Sequence, residues 1–420
     1  MAPLLKPSHP HSKPRRLRSP ATLAILALLL LGACGYAGAH WAEIGALGAD
    51  WLRSFLGDQT VSRMEVTLFK VEDDIRLAEY SLGLSSPATP WTPAPLVAGA
   101  SGPTPTAGVA SETTVAPSLS PTPPLLSTST PSPTQEPTAT PPYWPLASRP
   151  PLGHLAGEGE WSPYLVGASG TVYADRAYFQ PDPTRPYVVV GVVAFDLGTT
   201  RLHYVVGTQE PESNVPLKRL GEIAPSDKAP GVLLAAFNGG FKGRHGNFGV
   251  MVDGTTLLPP RDGMGTVVLN ADGQVRIDQW GRFPLSPDIA AWRQNGPLIV
   301  NWGEVNPEVD LVSFDVWGTL LTGKTLTWRS GLGLSRDGHV LYYAAGPSLS
   351  LRGLASTLSA AGAYNALELD INNYWVEFVS IRAVGTRFFA YALFPEMSDG
   401  EGRYLGPSAR DFFYVTTDEG

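Results

Sequence analysis

Glu368, Asp370 and Asn372 stand two residues apart in Ala366-Leu367-Glu368-Leu369-Asp370-Ile371-Asn372-Asn373, with Leu367, Leu369 and Ile371 between them. That period of two is the pattern of a strand half buried on one face. It predicts two carboxylates and an amide on one surface, with neighbours roughly 7 Å apart. At that separation one charge raises the other's pKa, which suits acid/base chemistry. A second cluster lies upstream. The apolar run Gly231–Phe237 ends in Asn238-Gly239-Gly240-Phe241, followed by Lys242, Arg244 and His245. Gly239 and Gly240 let backbone N–H groups come close to an anion, and the basic residues add positive charge. A third cluster is Trp328-Arg329-Ser330-Gly331. An arginine among apolar and small residues either pairs with a carboxylate or clamps a phosphate through two parallel hydrogen bonds.

Other chemistries find no residues here. The chain has no HExxH, GxSxG, P-loop or paired CxxC. His154, His203, His245 and His339 are the histidines of the folded part, and none stands at metal-ligand spacing to another. No cofactor is therefore expected. A divalent cation is chemically compatible with the carboxylates, but no ligand spacing argues for one. The net charge of −8 gives no basic surface for nucleic acid. Cys34 is the single cysteine, so no disulfide forms within the chain and the core must hold the fold.

The elements that position these residues read as β-rich. Tyr187–Phe195 and Leu202–Val206 are strands joined by Asp196-Leu197-Gly198-Thr199-Thr200. Three Asp-Gly pairs, Asp253-Gly254, Asp272-Gly273 and Asp337-Gly338, separate apolar runs. Each is a hairpin signal, with positive φ expected at both turn positions. Gln294-Asn295-Gly296-Pro297-Leu298-Ile299-Val300 is a loop entering an apolar strand, and Phe412–Val415 is a closing strand. One helix is clear over Ser350–Ala361, where Leu351, Leu354, Ala355 and Leu358 form a stripe and Gly362 is the stop. Residues 152–420 thus form an α+β domain with a large mixed or antiparallel sheet and few helices.

The first 151 residues are organised differently. Residues 1–20 are basic and proline-rich, and residues 21–39 carry no charge. Such a span reaches across a bilayer, and the basic front places the N-terminus in the cytoplasm with the bulk of the chain outside. A cleavable signal, and a lipobox at Leu31-Gly32-Ala33-Cys34, are the rival readings of the same segment. Residues 40–84 read as a juxtamembrane helix. Val61, Met64, Leu68, Val71, Ile75, Ala78 and Leu82 form a heptad seam, so a homo-oligomer through 61–82 and a lone amphipathic helix both fit. Residues 85–151 are Pro, Ser, Thr and Ala with almost no charge, a disordered linker. At about 3.1 Å per residue it spans on the order of 200 Å when extended, a stalk that holds the domain off the membrane.

Read in order, these motifs resemble the phosphodiester glycosidase domain family over roughly 231–378. The family runs from an apolar strand into Asn-Gly-Gly-Phe, here Asn238 to Phe241, and then to Gly-Pro-Leu, here Gly296 to Leu298. Its Arg-Thr-Ala-x-Gly strand is met loosely by Arg329 and Gly333, and its Asp-Gly hairpin by Asp337 and Gly338. Its Leu-Asp-Gly-Gly-Gly-Ser is met by Leu369 and Asp370, with Ile371-Asn372-Asn373-Tyr374 in place of the glycines and serine. The wording Glu-Leu-Asp-Ile-Asn, with Arg410-Asp411-Phe412 near the end, is similar to a bacterial, membrane-anchored branch. The resemblance implies a hydrolase that cleaves a glycosyl-1-phosphodiester outside the cell. Asp370 would act on the anomeric centre or on water with Glu368 as the partner acid or base, and Arg329 with Lys242 would hold the phosphate beside the Gly239 and Gly240 backbone. Asn238 and Asn372 would bind sugar hydroxyls, and Trp302, Tyr374 and Trp375 would offer stacking surfaces. The implied partner is a sugar-phosphate or cell-wall glycan. The same residues fit a non-catalytic module that binds cell-wall glycan or phosphoglycan.

Overall fold

Asp253 and Gly254 have φ of 49° and 73°, so this pair closes the short hairpin between β6 (Val250–Val252) and β7 (Thr255–Leu258) with both residues left-handed. The other two Asp-Gly pairs differ from expectation. Only their glycines, Gly273 at 88° and Gly338 at 79°, have positive φ. The turn between β8 (Gly265–Asn270) and β9 (Val275–Gln279), and that between β13 (Thr327–Leu334) and β14 (Val340–Leu349), have room for a longer loop. There the aspartate caps the turn instead. Asp272 accepts from the Gln274 N–H at 3.0 Å, and Asp337 from the His339 N–H at 3.2 Å.

The computed structural model describes residues 56, 58–87, 89–91, 144–310, 325–372, 374–400 and 402–418. The basic tail, the uncharged span 21–39 with Cys34, and most of the Pro/Ser/Thr stretch lie outside these residues. No helix among the described residues is long and apolar enough to cross a membrane.

Three antiparallel sheets make the body. The first has eight strands in the order β1 (Ser162–Val166), β2 (Val172–Phe179), β3 (Val190–Asp196), β14, β13, β15 (Asn365–Ile371), β11 (Leu298–Asn301) and β12 (Glu304–Val305). The second runs β7, β6, β10 (Ile289–Gln294), β8, β9. The third runs β17 (Arg387–Ala392), β16 (Phe378–Val384), β5 (Leu233–Asn238), β18 (Phe412–Thr417), β4 (Thr200–Val205). Among the described strands every pairing is antiparallel, and two helices are present, which agrees with α+β. β3 and β4 follow one another in sequence but lie in different sheets, so the 196–200 connection is a crossing and not a hairpin.

One core fills the space between the sheets, with Leu332 and Leu367 from the first, Val250 and Val267 from the second, and Phe237 and Phe413 from the third. Phe237 stacks on Phe378 and Phe413, with ring centroids 6.0 and 5.7 Å apart. Each buried aromatic or aliphatic side chain contributes about 1.5–3 kcal/mol, and these rings sit directly behind the strand ends that carry the polar residues. A second core lies on the other face of the eight-stranded sheet, under α2 (Leu351–Ala361). α2 starts where the Ser350 hydroxyl accepts the Gly353 N–H and ends at Gly362 with φ 115°.

The helix α1 (Asp58–Ser81) is fixed to the body through Asp73, which accepts from the Tyr187 hydroxyl at 3.0 Å and lies 3.6 Å from Arg185. Of its heptad seam Val61 is buried, whereas Met64, Leu68, Val71, Ile75 and Leu82 are exposed. Trp91, Trp144 and Leu146, from the stretch read as linker, pack against the two cores.

Candidate active site

The end of β15 departs from simple alternation, and the departure builds the site. Gly331 of β13 faces Glu368, but Arg329 faces Ile371. Leu369 and Asp370 together stand opposite Ser330. Two residues against one is a bulge, which re-aims a side chain. The expected shared surface of Glu368 and Asp370 is therefore corrected. Glu368 stays on the α2 face with Arg329 and Gly331, where a Cβ on Gly331 would touch Leu354 and Leu358. Asp370 is turned toward the third sheet.

Each carboxylate has its own arginine. Arg329 donates from Nη1 to Glu368, from Nε to the Leu349 carbonyl at 2.9 Å and from Nη2 to the Thr325 carbonyl at 2.8 Å. Both side chains are fully buried. Burial raises the Glu368 pKa and Arg329 opposes it, with the net direction upward. The sequence-predicted phosphate clamp and its partner acid thus hold each other, on the far face of the sheet from Asp370.

Asp370 meets Arg410, with Oδ2 2.6 Å from Nη2, while Oδ1 accepts the Ile371 N–H at 2.8 Å. Burial is the largest influence on its carboxyl and pushes it up to about 6. Arg410, the Ile371 N–H and Lys242 pull it down, and the neighbouring Asp411 charge adds to the rise. Asp411 accepts from Arg293 Nε at 2.7 Å, the Tyr204 hydroxyl at 2.9 Å and the Gly240 N–H at 3.4 Å, all on Oδ2. Its Oδ1 is buried with no hydrogen-bond partner. Such an atom is costly to leave unmet, which marks it for a ligand or a water.

The two glycines of Asn238-Gly239-Gly240 serve this carboxylate. A Cβ on Gly239 would lie 2.7 Å from the Asp411 carboxyl, and one on Gly240 would lie 2.9 Å from the Arg293 guanidinium. The anion their backbone approaches is the protein's own. Asn238 accepts from the Tyr343 hydroxyl at 3.0 Å and the Glu377 N–H at 3.2 Å. It donates at 3.0 Å to Ser330 Oγ, which in turn accepts the Asp370 N–H at 3.3 Å. Asn295 ties the same loop to the bulge, accepting from the Phe241 N–H and donating to the Glu368 and Leu369 carbonyls.

Trp375 gathers the cations. Arg410, Arg403 and Lys242 lie over its ring at 4.6, 5.2 and 5.5 Å. Arg403 also covers Tyr374 at 4.5 Å and stands 3.8 Å from Glu377. Asn238, Gly239, Asp370, Trp375, Arg403 and Arg410, with Tyr404, Ser408 and Asp411, enclose a cavity of about 10 Å³. That is space for about one water. Asn372 has φ 91°, and its side-chain oxygen accepts the Tyr374 N–H at 2.8 Å, so it shapes the turn leading to Trp375. Trp302 is exposed beyond β11 under Arg282 and does not line this cavity. Among the described residues no cluster of three or more His, Cys, Asp or Glu side chains could hold a metal ion.

The structure therefore brings Asn238, Gly239 and Asp370 together, sets Lys242 at the rim, and places Arg329 and Glu368 elsewhere. Sequence reasoning gave no role to Arg293, Arg403, Arg410 or Asp411. One signal was available: Arg410-Asp411 is a charged pair opening an apolar strand, as Arg293 closes one. Nothing local says which carboxylate each would meet.

Residues 232–370 match the model of the phosphodiester glycosidase family. Arg410 and Asp411 fall beyond that segment. No curated protein matches the chain. Among solved structures, a hypothetical protein from Synechocystis aligns at 13% identity over 61% of this chain and 62% of its own, with a TM-score of 0.28. A candidate exported protein from Burkholderia pseudomallei aligns at 10% identity over 55% of this chain and 74% of its own, with a TM-score of 0.25. The alignment to the first of these spans less than two thirds of that relative's length.

Proposed function

We propose, from the premise that residues 232–370 are a phosphodiester glycosidase domain, that this protein hydrolyses a glycosyl-1-phosphodiester and that Asp370 and Asp411 carry the chemistry. The observation that carries the assignment is Asp370: a buried carboxyl raised to about 6, touching Arg410, at the wall of a cavity ringed by cations. A carboxyl with that pKa gives up a proton readily near neutrality, and a phosphate monoester has its own second pKa near 6. Asp370 in its protonated form donates to the leaving phosphate oxygen as the C1–O bond breaks. Asp411, oriented by Arg293 and Tyr204, uses its unpartnered Oδ1 to take the proton of the attacking water. Asp411 then releases its proton to solvent and Asp370 takes one up, which restores both carboxyls, and the products are the free sugar and a phosphate monoester. The second carboxylate is an acid/base partner of the kind this bond requires.

Arg410 and Arg403, with Lys242 in support, hold the phosphate, and Trp375 offers its ring to the sugar. Asn238 acts from behind, through Ser330, by fixing the Asp370 backbone. In this reading Arg329 and Glu368 brace β15 and leave Asp370 free to serve the cleft. The cavity has space for a water and not for a sugar, so substrate entry displaces the Trp375–Arg403 side. The uncharged span at 21–39, its basic front and the stalk that follows support an anchored domain working outside the cytoplasm on a sugar-phosphate or wall glycan.

The test is release of free sugar from a panel of methyl glycosyl-1-phosphates. Wild type should release it, and Asp370→Asn and Asp411→Asn should not, compared per folded molecule because each leaves a buried arginine without its counter-charge. Release by Asp370→Asn at the wild-type rate would overturn the assignment.

A further inference from the structure

A second set of arginines lies away from the cleft. Arg176 of β2 has its guanidinium between two rings, 4.5 Å from the centre of Trp91 and 4.6 Å from that of Tyr164. Its Nε is buried with no hydrogen-bond partner. Arg382 of β16 lies 5.6 Å from the ring of Tyr391 on β17. Register sets Arg382 opposite Phe389, Ser380 opposite Tyr391, and Val384 opposite Arg387. Val379, Ile381, Phe388 and Ala390 pack inward on the other face. Arg382, Arg387, Phe389 and Tyr391 therefore share one face of an edge hairpin, and Phe389 and Tyr391 are 43% and 47% exposed. Burial lowers the pKa of Arg176 and raises that of Tyr164, and the Arg382 charge adds to the first shift and opposes the second. No ion pair joins Arg176 or Arg382 to a carboxylate among the described residues.

Like charges set side by side with no counter-charge, in a chain of net charge −8, lack the anion that would neutralise them. Exposed rings alternate with them. Guanidinium groups bind phosphate through paired hydrogen bonds, and aromatic faces take the apolar side of a sugar. We propose that Arg176, Arg382, Tyr164, Phe389 and Tyr391 form a non-catalytic surface site for a phosphate-bearing glycan. Arg382 lies five residues from Glu377, which just precedes β16 and stands 3.8 Å from Arg403 of the cleft, roughly 17 Å at the rise of a strand. The site is thus separate from the cleft and holds the polymer while the cleft works elsewhere on it. Only the link between the two sites rests on the hydrolase reading.

The experiment uses the detergent-solubilised full chain. Its probes are a teichoic-type polyol-phosphate polymer bearing sugars, neutral dextran, and anionic phospholipid vesicles. Wild type should bind the phosphate polymer and neither control. Arg382→Gln and Tyr391→Ala, both at exposed positions, should each weaken that binding on the order of tenfold, a change of one decade in Kd. Turnover of a monomeric glycosyl phosphodiester should stay at the wild-type rate in both. Equal polymer binding by all three proteins, no binding by wild type, or binding to vesicles in place of polymer would overturn the site. Absence of turnover on every diester, with Arg382-dependent polymer binding intact, would sink the hydrolase and leave this site standing.

Discussion

Two arginine–carboxylate pairs share one strand and do different things. Arg329–Glu368 and Arg410–Asp370 begin from acids two residues apart in sequence. In the first, the guanidinium also bonds two backbone carbonyls, so its donors end on the protein. In the second, the acid faces a cavity with three cations and another carboxylate nearby. Both acids are buried, and burial raises both. Burial of an ion pair therefore does not distinguish a brace from a working group. What distinguishes them is whether a polar atom is left over, as Asp411 Oδ1 is, and whether space adjoins it.

The widest separation between the pairs should appear in turnover. Asp370→Asn removes a proton donor but keeps its shape, and general acid catalysis contributes about 10²–10⁴-fold. We expect kcat per folded molecule to fall by that factor, alongside the stability cost of leaving Arg410 uncompensated. Glu368→Gln should show the stability cost alone. Leaving one partner of a buried pair uncompensated costs about 3–5 kcal/mol. A lowered urea midpoint, with kcat per folded molecule within about threefold of wild type, is expected; threefold is well below one decade, or 1.4 kcal/mol. A large kcat loss in folded Glu368→Gln would return Glu368 to the chemistry.

pH sharpens the same contrast. The Asp370 carboxyl is raised from 3.8 to about 6, so it is protonated below that value and ionised above it. As a proton donor it works only when protonated. The kcat/KM profile should therefore fall as pH rises through about 6, approaching one decade per unit. The fall should vanish in the residual activity of Asp370→Asn. A profile that rises through the same window would make Asp370 the base and exchange its role with that of Asp411.

Much of the frame was legible because its signals are local. Asp253-Gly254 declared its hairpin, Ser350 and Gly362 bounded α2, and Asn238 ended an apolar strand. The error at Glu368 and Asp370 has a clear cause. Alternation predicts faces only while a strand stays regular, and the extra residue opposite Ser330 lies in the pairing, not in β15 alone. Arg293 and Arg410 were illegible for a related reason. They are brought to the loop at 239–241 from positions 52 and 170 residues away in sequence, through their bonds to Phe241 and Gly240. The Gly239-Gly240 pair did announce a close approach, and the group packed against it is the Asp411 carboxylate.

Asn372 provides the finest test, at the boundary between the two pairs. It follows the bulge and holds φ at 91°, where the family resemblance sets a glycine. Left-handed backbone costs an ordinary residue about 1–2 kcal/mol and asparagine less, since its side chain bonds locally. Here that bond is the Tyr374 N–H to Asn372 Oδ1 contact, and Tyr374 leads to Trp375 at the cleft. If the residue serves the turn, Asn372→Gly should be near neutral in stability and activity. Asn372→Ala, which loses the bond and keeps the Cβ, should lower stability by about 1 kcal/mol and raise KM without changing kcat. Should Asn372→Gly instead raise KM as much as Asn372→Ala, the amide itself touches the substrate, and the working side of the strand extends two residues beyond Asp370.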